Sequence, residues 1–355
     1  MKRDSLHFLA AVLLAALTWV GCNTDREPLA PSGEPAIEVA AKPAAEVAAA
    51  IAVQNRHTDR LLAIPGVVGT ATGLRSDGSL AIKVLTEAAG VAGIPTDLEG
   101  VPVEVEVTGK IVALGGPVDK AGKGGGSTLT TTSRWPRPVP IGVSTGNEGE
   151  CSAGTIGARI KDASGTVYAL SNNHVYALEN TAPIGSNAHQ PGLYDTGCSA
   201  DPNNVIATLK AFEPIRFDGT DNTIDAAIAS SSSTNLGNTT PTDGYGSPSS
   251  ATTDASLGQR VQKYGRTTKL TKGQVTGINA TVNVGYSAGT ARFVNQIIVQ
   301  GTKPFIKAGD SGSLLVTDPG KNPVGLLFAG TSNGIAIANP IGPVLSRFGV
   351  TVDGQ

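Results

Sequence analysis

The chain has 355 residues, 40% of them hydrophobic, with 29 acidic against 27 basic side chains and a formal net charge of −2. That is enough apolar material for a sizeable core and more than one domain, and with no dense Lys/Arg run a nucleic-acid partner is not expected. Glycine is abundant (45) and aromatics are scarce (4%), which favours short strands and tight turns over long helices.

Met1-Lys2-Arg3 leads into an apolar run from Phe8 to Val20, shorter than the roughly 20 residues a membrane span needs, so residues 1–22 read as an export signal. Val20-Gly21-Cys22 resembles a bacterial lipobox, with Trp19 where leucine is usual. The resemblance implies lipidation of Cys22 and membrane attachment; simple cleavage and an uncleaved anchor are the alternatives. Residues 23–43, rich in Pro, Ala and Glu, read as a disordered tether. Only Cys151 and Cys198 remain. In an exported chain an isolated pair favours a disulfide over a metal site, with two free buried thiols as the other reading.

From Ala44 to Ala63 the apolar residues recur at helical intervals, and Pro65 stops the run. His57 is expected on the surface of this helix. Two strands, Val67 to Leu74 and Ser79 to Leu85, flank the turn Arg75–Gly78, and a third is expected over Val101 to Val112. Residues 44–120 thus form a small α/β accessory domain for packing, assembly or tethering, with no residue types of a catalytic or metal site. Residues 121–133 begin with AGKGGGST and form a linker.

Residues 134–355 are long enough for a large all-β domain such as a double barrel. Strands are expected over Thr155 to Ile160, Thr166 to Leu170, Val261 to Tyr264, Gly273 to Val284, Arg292 to Val299, Ser313 to Val316 and Val324 to Phe328. Ser230 to Ser256, rich in Ser, Thr and Pro, is expected as a mobile connection, and Pro340 to Phe348 as a terminal helix.

The chemistry concentrates in FIKAGDSGSLLVT, Phe305 to Thr317. Ser311 stands in a glycine-bounded turn ahead of an apolar strand, the setting of a nucleophile that needs a base and oxyanion donors. Gly309 and Gly312 allow a bend that aims the amides of Gly309 and Ser311 at one point; an ordinary β-turn is the bland alternative. Of the four histidines, His7 lies in the signal and His57 in the accessory domain. His174, where an apolar strand ends in SNNHV, is the better base, and His189 in NAHQPG reads as a loop residue. Asp225, opening the apolar strand of DNTIDAAIAS, is the carboxylate chosen to orient the base, whereas Asp218 and Asp221 lie in a polar turn.

With His174, Asp225 and Ser311 in that order, the domain resembles a trypsin-like, chymotrypsin-fold serine peptidase. SNNHV, IDAAIA and AGDSGSLL match its three motifs, and VQKYGRTTKLTKG resembles the start of the second barrel in bacterial members. IPGVVGTATGL and LEGVPVEVEVTG upstream are similar to bacterial relatives of the NARROW LEAF 1 peptidases. The resemblance implies a mainly β, chymotrypsin-like double β-barrel behind the accessory domain. It also implies peptide or protein substrates, hydrolysis through an acyl-enzyme on Ser311, and no cofactor or metal. Phe305, six residues before the nucleophile, would floor the substrate pocket, predicting small or apolar preferences and weak cleavage after Lys or Arg.

Two departures stand out. Val175 takes the place of the cysteine that follows the histidine in trypsin, and SRWPRPVPIG, Ser133 to Gly142, offers no activation site, so Asp310 must pair with something other than a freed N-terminus. The competing reading is a binding or assembly module that keeps the peptidase fold without useful turnover. A metal-dependent hydrolase is disfavoured by the lack of an HExxH-like motif.

Overall fold

The structure, a computed structural model, describes residues 42–115 and 129–355. The expected export signal, Cys22, nearly all of the tether and most of the linker lie outside the described residues.

The first helix, Ala44–Leu62, buries Ala50, Val53, Gln54, Thr58 and Leu61, the three-to-four spacing of a one-faced helix. That face packs on Val67, Ile82, Val84 and Leu98. Strands Val67–Leu74 and Leu80–Thr86 form the expected antiparallel hairpin, its turn held by Asp77 Oδ1, which accepts from the Ser79 amide at 2.8 Å. Val101–Val107 then runs parallel to Leu80–Thr86.

The third expected strand is interrupted. After Val107 the amides of Thr108 and Gly109 both turn back to the carbonyl of Thr86, at 3.0 and 3.2 Å, and Gly109 takes a left-handed φ of 75°. Val112–Ala113 is a separate two-residue strand that pairs with Pro323–Gly330 and touches the end of Lys269–Gly285.

Nor is the small unit a free-standing layer. Val67–Leu74 pairs antiparallel with Lys269–Gly285, so its sheet continues into the sheet of the second half of the chain. Gly69 makes the approach possible: a Cβ there would stand 2.9 Å from Val282 Cγ1. Gln54 crosses the seam, donating to the Asn279 carbonyl at 2.8 Å and accepting from Asn279 Nδ2 at 3.0 Å.

Beyond residue 133 the chain forms two β-sheets. In the second, Arg260–Gly265, Leu314–Thr317, Pro323–Gly330, Ala336–Pro340, Thr290–Gln300 and Lys269–Gly285 pair in that order, and Lys269–Gly285 pairs back to Arg260–Gly265, closing the ring. The first runs Val350–Val352, Ala158–Asp162, Val167–Ser171, Ala227–Ser230, Val205–Phe212, Asn187–His189, Ser144–Asn147, Gly154–Thr155. Its strand pairings leave it open, but single bonds bridge the gap, the Ile156 amide to the Val143 carbonyl at 3.0 Å and the Gly157 amide to the Leu170 carbonyl at 2.8 Å. This is the chymotrypsin-like double β-barrel. Each barrel has its own apolar filling, and a third cluster, including Leu170, Ile228, Leu314, Leu326 and Val344, joins them.

The expected strand over 155–160 is broken around Gly157, where a Cβ would lie 2.3 Å from the carbonyl of Gly312, so the close approach of the Gly309–Gly312 turn requires glycine there. The terminal helix forms as Ile341–Phe348. The Ser/Thr/Pro-rich connection is irregular as expected but is held to the barrels: Leu236 is fully buried, Gly237 donates to Val139 and Thr253 to Pro323. Cys151 and Cys198 form a disulfide across a sequence separation of 47 that encloses His174.

Candidate active site

The first barrel supplies an acid and a base. Strand Val167–Ser171 ends at Asn172, and one helical turn, Asn173–Tyr176, carries His174, the strand-end setting expected from SNNHV. His174 Nδ1 lies 2.5 Å from Asp225 Oδ2, and both side chains are buried. Asp225 is held on every side. Its Oδ1 accepts from the His174 amide at 3.2 Å, its amide donates to Asn339 Oδ1 at 3.0 Å, and its carbonyl accepts from Asn172 Nδ2 at 2.7 Å. Tyr286 Oη donates to Oδ2 at 2.9 Å, and its ring meets the His174 ring edge-on at 6.0 Å. Burial, and then the charge of Asp225, push the Tyr286 phenol well above its ordinary pKa, so it stays a donor. The imidazole is thus fixed through Nδ1 alone: among the described residues Nε2 has no hydrogen-bond partner.

The second barrel supplies the turn. Gly309 and Gly312 have φ of 92° and 91°, a region closed to most residues. A Cβ would also sit 2.6 Å from Thr267 Oγ1 at Gly309 and 2.2 Å from Ser171 Oγ at Gly312. Asp310, between them, is fully buried and paired with the fully buried Lys263 at 3.2 Å. Its carboxylate also accepts from Thr268 Oγ1 at 2.6 Å and from the amides of Thr267, Thr268 and Lys307 at 2.8, 3.1 and 3.0 Å. Burial draws the Lys263 pKa below that of an ordinary lysine while the charge of Asp310 opposes it. The partner that trypsin finds in a freed N-terminus is here an internal lysine. Ser311 Oγ donates to the carbonyl of Phe328 at 3.1 Å, so the hydroxyl is not engaged with His174.

The remaining expected site residues fall as follows. Phe305 is fully buried in the apolar cluster that also holds Ile306, Leu315 and Leu327. His189, expected in a loop, instead ends the short strand Asn187–His189, where it is buried 4.0 Å from Glu148; burial lowers its pKa. It pairs there because Ala188 and His189 lie between two strands. Asp218 is exposed, and Asp221 pairs with Arg292 at 2.9 Å. His57 is half-buried and bonds Glu99 at 2.7 Å. Among the described residues no group of three or more His, Cys, Asp or Glu is placed to hold a metal.

Sequence reasoning missed Tyr286, Asn172, Asn339 and Lys263. Asn172 and Lys263 lie inside motifs already singled out, SNNHV and VQKYGRTTKLTKG; a polar residue at a strand end and a lysine within a strand were the available signals. Tyr286 and Asn339 had none.

No family model matches the chain. It is 39% identical to streptogrisin-A of Streptomyces griseus over 103 residues, 28% of this chain and 32% of that protein. Serine protease 2 of Streptomyces fradiae is 28% identical over 186 residues, 52% of this chain and 89% of that one. Glutamyl endopeptidase 2 of Streptomyces griseus is 35% identical over 112 residues, 29% and 52% of the two. The chain thus spans about a third of the first of these relatives and half of the third. Among solved structures, a glutamic-acid-specific serine protease is 25% identical with a TM-score of 0.44, covering 60% of this chain and all of that one. The likenesses to the three Streptomyces proteins support the trypsin-like, chymotrypsin-fold serine protease family.

Proposed function

We propose that the chain is an exported serine endopeptidase whose catalytic residues are Ser311, His174 and Asp225. The observation that carries the reading is the 2.5 Å contact between His174 Nδ1 and a fully buried Asp225, which leaves Nε2 available for a proton. In the reaction Ser311 exchanges its bond to Phe328 for one to Nε2, a rotation between staggered wells. Oγ then attacks the scissile carbonyl as His174 takes the proton and returns it to the leaving amine, with Asp225 stabilising the imidazolium. The amides of Gly309 and Ser311 receive the oxyanion, each donor contributing about 3 kcal/mol. A binding module without turnover would have no use for a desolvated acid–base pair, and that alternative is not favoured.

In this reading residues 134–355 are the peptidase domain and 44–120 an accessory unit, within the bacterial group related to NARROW LEAF 1. Export, and attachment through Cys22, follow from the N-terminal sequence. Phe305 and Ile306 make an apolar pocket with Gly330 at its wall, which suits aliphatic side chains. It does not suit the glutamate named for two of the similar proteins, since a carboxylate buried there would have no partner. Long incubation with a fluorophosphonate probe is expected to label the wild-type protein and not Ser311→Ala. Folded wild-type protein that stays unlabelled would sink the reading.

A further inference from the structure

Two turns, one from each barrel, meet beside His174, and a single carboxylate joins them. The first follows the helical turn that carries His174. There Leu178, Glu179 and Asn180 take successive left-handed φ of 49°, 52° and 77°, a conformation that crowds the Cβ of any residue but glycine. Strain of this kind persists only where surrounding contacts impose it, and it gathers at functional sites. Asn173, the chain neighbour of His174, supplies such contacts: its Oδ1 accepts from the Asn180 amide at 3.1 Å and its Nδ2 donates to Asn180 Oδ1 at 2.8 Å. From the other side the Ile215 amide donates to Asn180 Oδ1, and Asn180 Nδ2 donates to the Ile215 carbonyl, both at 2.8 Å.

The second turn is the tip of the hairpin made by Lys269–Gly285 and Thr290–Gln300. The Tyr286 amide donates to the Gly289 carbonyl at 2.8 Å, which leaves Ser287 and Ala288 as a two-residue loop. Such loops favour turns whose first residue is left-handed, yet neither Ser287 nor Ala288 has a positive φ. The tip is held from outside instead. Glu179 Oε1 accepts from the Ser287 amide at 3.1 Å, and Glu179 Oε2 accepts from the Ala288 amide at 2.8 Å and the Ser287 hydroxyl at 2.7 Å. Tyr286, next to this loop, carries the hydroxyl that donates to Asp225 Oδ2 at 2.9 Å. The contacts therefore run from the chain beside His174, through Asn180 and Glu179, to the hairpin tip, and return through Tyr286 to Asp225.

We propose that Glu179 is a positioning residue for the acid–base pair: by tying the hairpin tip of the second barrel to the strained turn beside His174, it holds the Tyr286 hydroxyl on Asp225. The proposal rests on the peptidase reading above. In this role Glu179 touches no reacting atom and acts through Tyr286. The Tyr286 ring also meets Phe217 edge-on at 5.7 Å and stacks on Phe293 at 6.1 Å. Apolar contact is non-directional and leaves the reach of the hydroxyl open; the three hydrogen bonds to the adjacent residues set it. Glu179 also lies in the wall of a cleft of about 670 Å³ that borders His174 and Tyr286, so direct contact with substrate is the competing role. Kinetics separate the two, since a residue acting through Asp225 changes kcat and one that binds substrate changes KM.

The test is a double-mutant cycle on the hydrolysis of an aliphatic peptide anilide, with fluorophosphonate labelling in parallel. Glu179→Ala is expected to lower kcat about tenfold with KM nearly constant, because it releases the group that places a hydrogen bond to a charged carboxylate. In a Tyr286→Phe background the same substitution should add less than about a twofold loss, since the hydroxyl it positions is gone. Glu179→Gln keeps the size but offers one acceptor oxygen to three donors, and a loss of at least about threefold is expected, again absent in Tyr286→Phe. It carries the test if Glu179→Ala does not fold. The proposal is overturned, and the peptidase reading left standing, if the losses of Glu179→Ala and Tyr286→Phe multiply in full. The same holds if the single Glu179 variants stay within about twofold of wild type in kcat, or if the change is confined to KM. A folded wild type that is neither labelled nor active removes both readings.

Discussion

The two barrels hold their halves of the site by different chemistry and in different states of readiness. On the first, Asp225 is surrounded by neutral donors and acceptors, Asn172, Asn339, Tyr286 and the His174 amide, and the acid–base pair is already assembled. On the second, a buried ion pair, Lys263 with Asp310, locks the backbone of the turn, while the Ser311 hydroxyl points to Phe328. The contrast follows from what each part must do. In the proposed reaction the Asp225 carboxylate faces a nearby imidazolium, and neutral partners on its other sides bring no competing charge. A turn that has only to hold two amides in place tolerates a lysine, whose charge Asp310 neutralises without reaching the reacting atoms.

Three substitutions probe that difference. The largest effect is expected from Asp225→Asn, which keeps the shape but reverses the hydrogen bond to His174; kcat on an aliphatic peptide anilide should fall by about 10⁴. A loss smaller than tenfold would show that the first barrel does not depend on the carboxylate. Next is Lys263→Met. It leaves Asp310 buried without its counter-charge, and urea unfolding should show a loss of about 3–5 kcal/mol, toward the low end because three amides and Thr268 still reach the carboxylate. Unchanged stability would mean that the amides alone hold the turn. The smallest effect is expected from Tyr286→Phe. It removes one hydrogen bond to a charged group, worth about 1.5–3 kcal/mol, and should lower kcat at least tenfold with KM nearly constant. Equal losses in KM would assign Tyr286 to the wall of the cleft instead.

Ser311 and His174 were legible because each sits at a junction with a local signature: glycines at positive φ before an apolar strand, and a polar turn after one. The helix Ala44–Leu62 was legible for the same reason, since its buried face repeats every three to four residues. Of the accessory unit, the helix and the hairpin form where they were expected, the third strand ends earlier, at Val107, and the connections to the rest of the chain were not foreseen. Nothing in VVGTATGL announces that its free edge pairs with a strand some two hundred residues later, and the alternation over Val101 to Val112 does not show that Val112 and Ala113 leave to pair with Pro323–Gly330.

By itself the sequence determined the local parts of this protein: a β-rich chain, a glycine-bounded turn around Ser311, a strand-end histidine and an isolated cysteine pair, because backbone preference and short-range periodicity are properties of neighbouring residues. Tertiary structure alone decided which charge answers Asp310, which phenol meets Asp225, and which strand the accessory sheet joins. Those are contacts between surfaces remote in the chain, and they form because burial leaves each polar group with no alternative but the partner the fold brings to it.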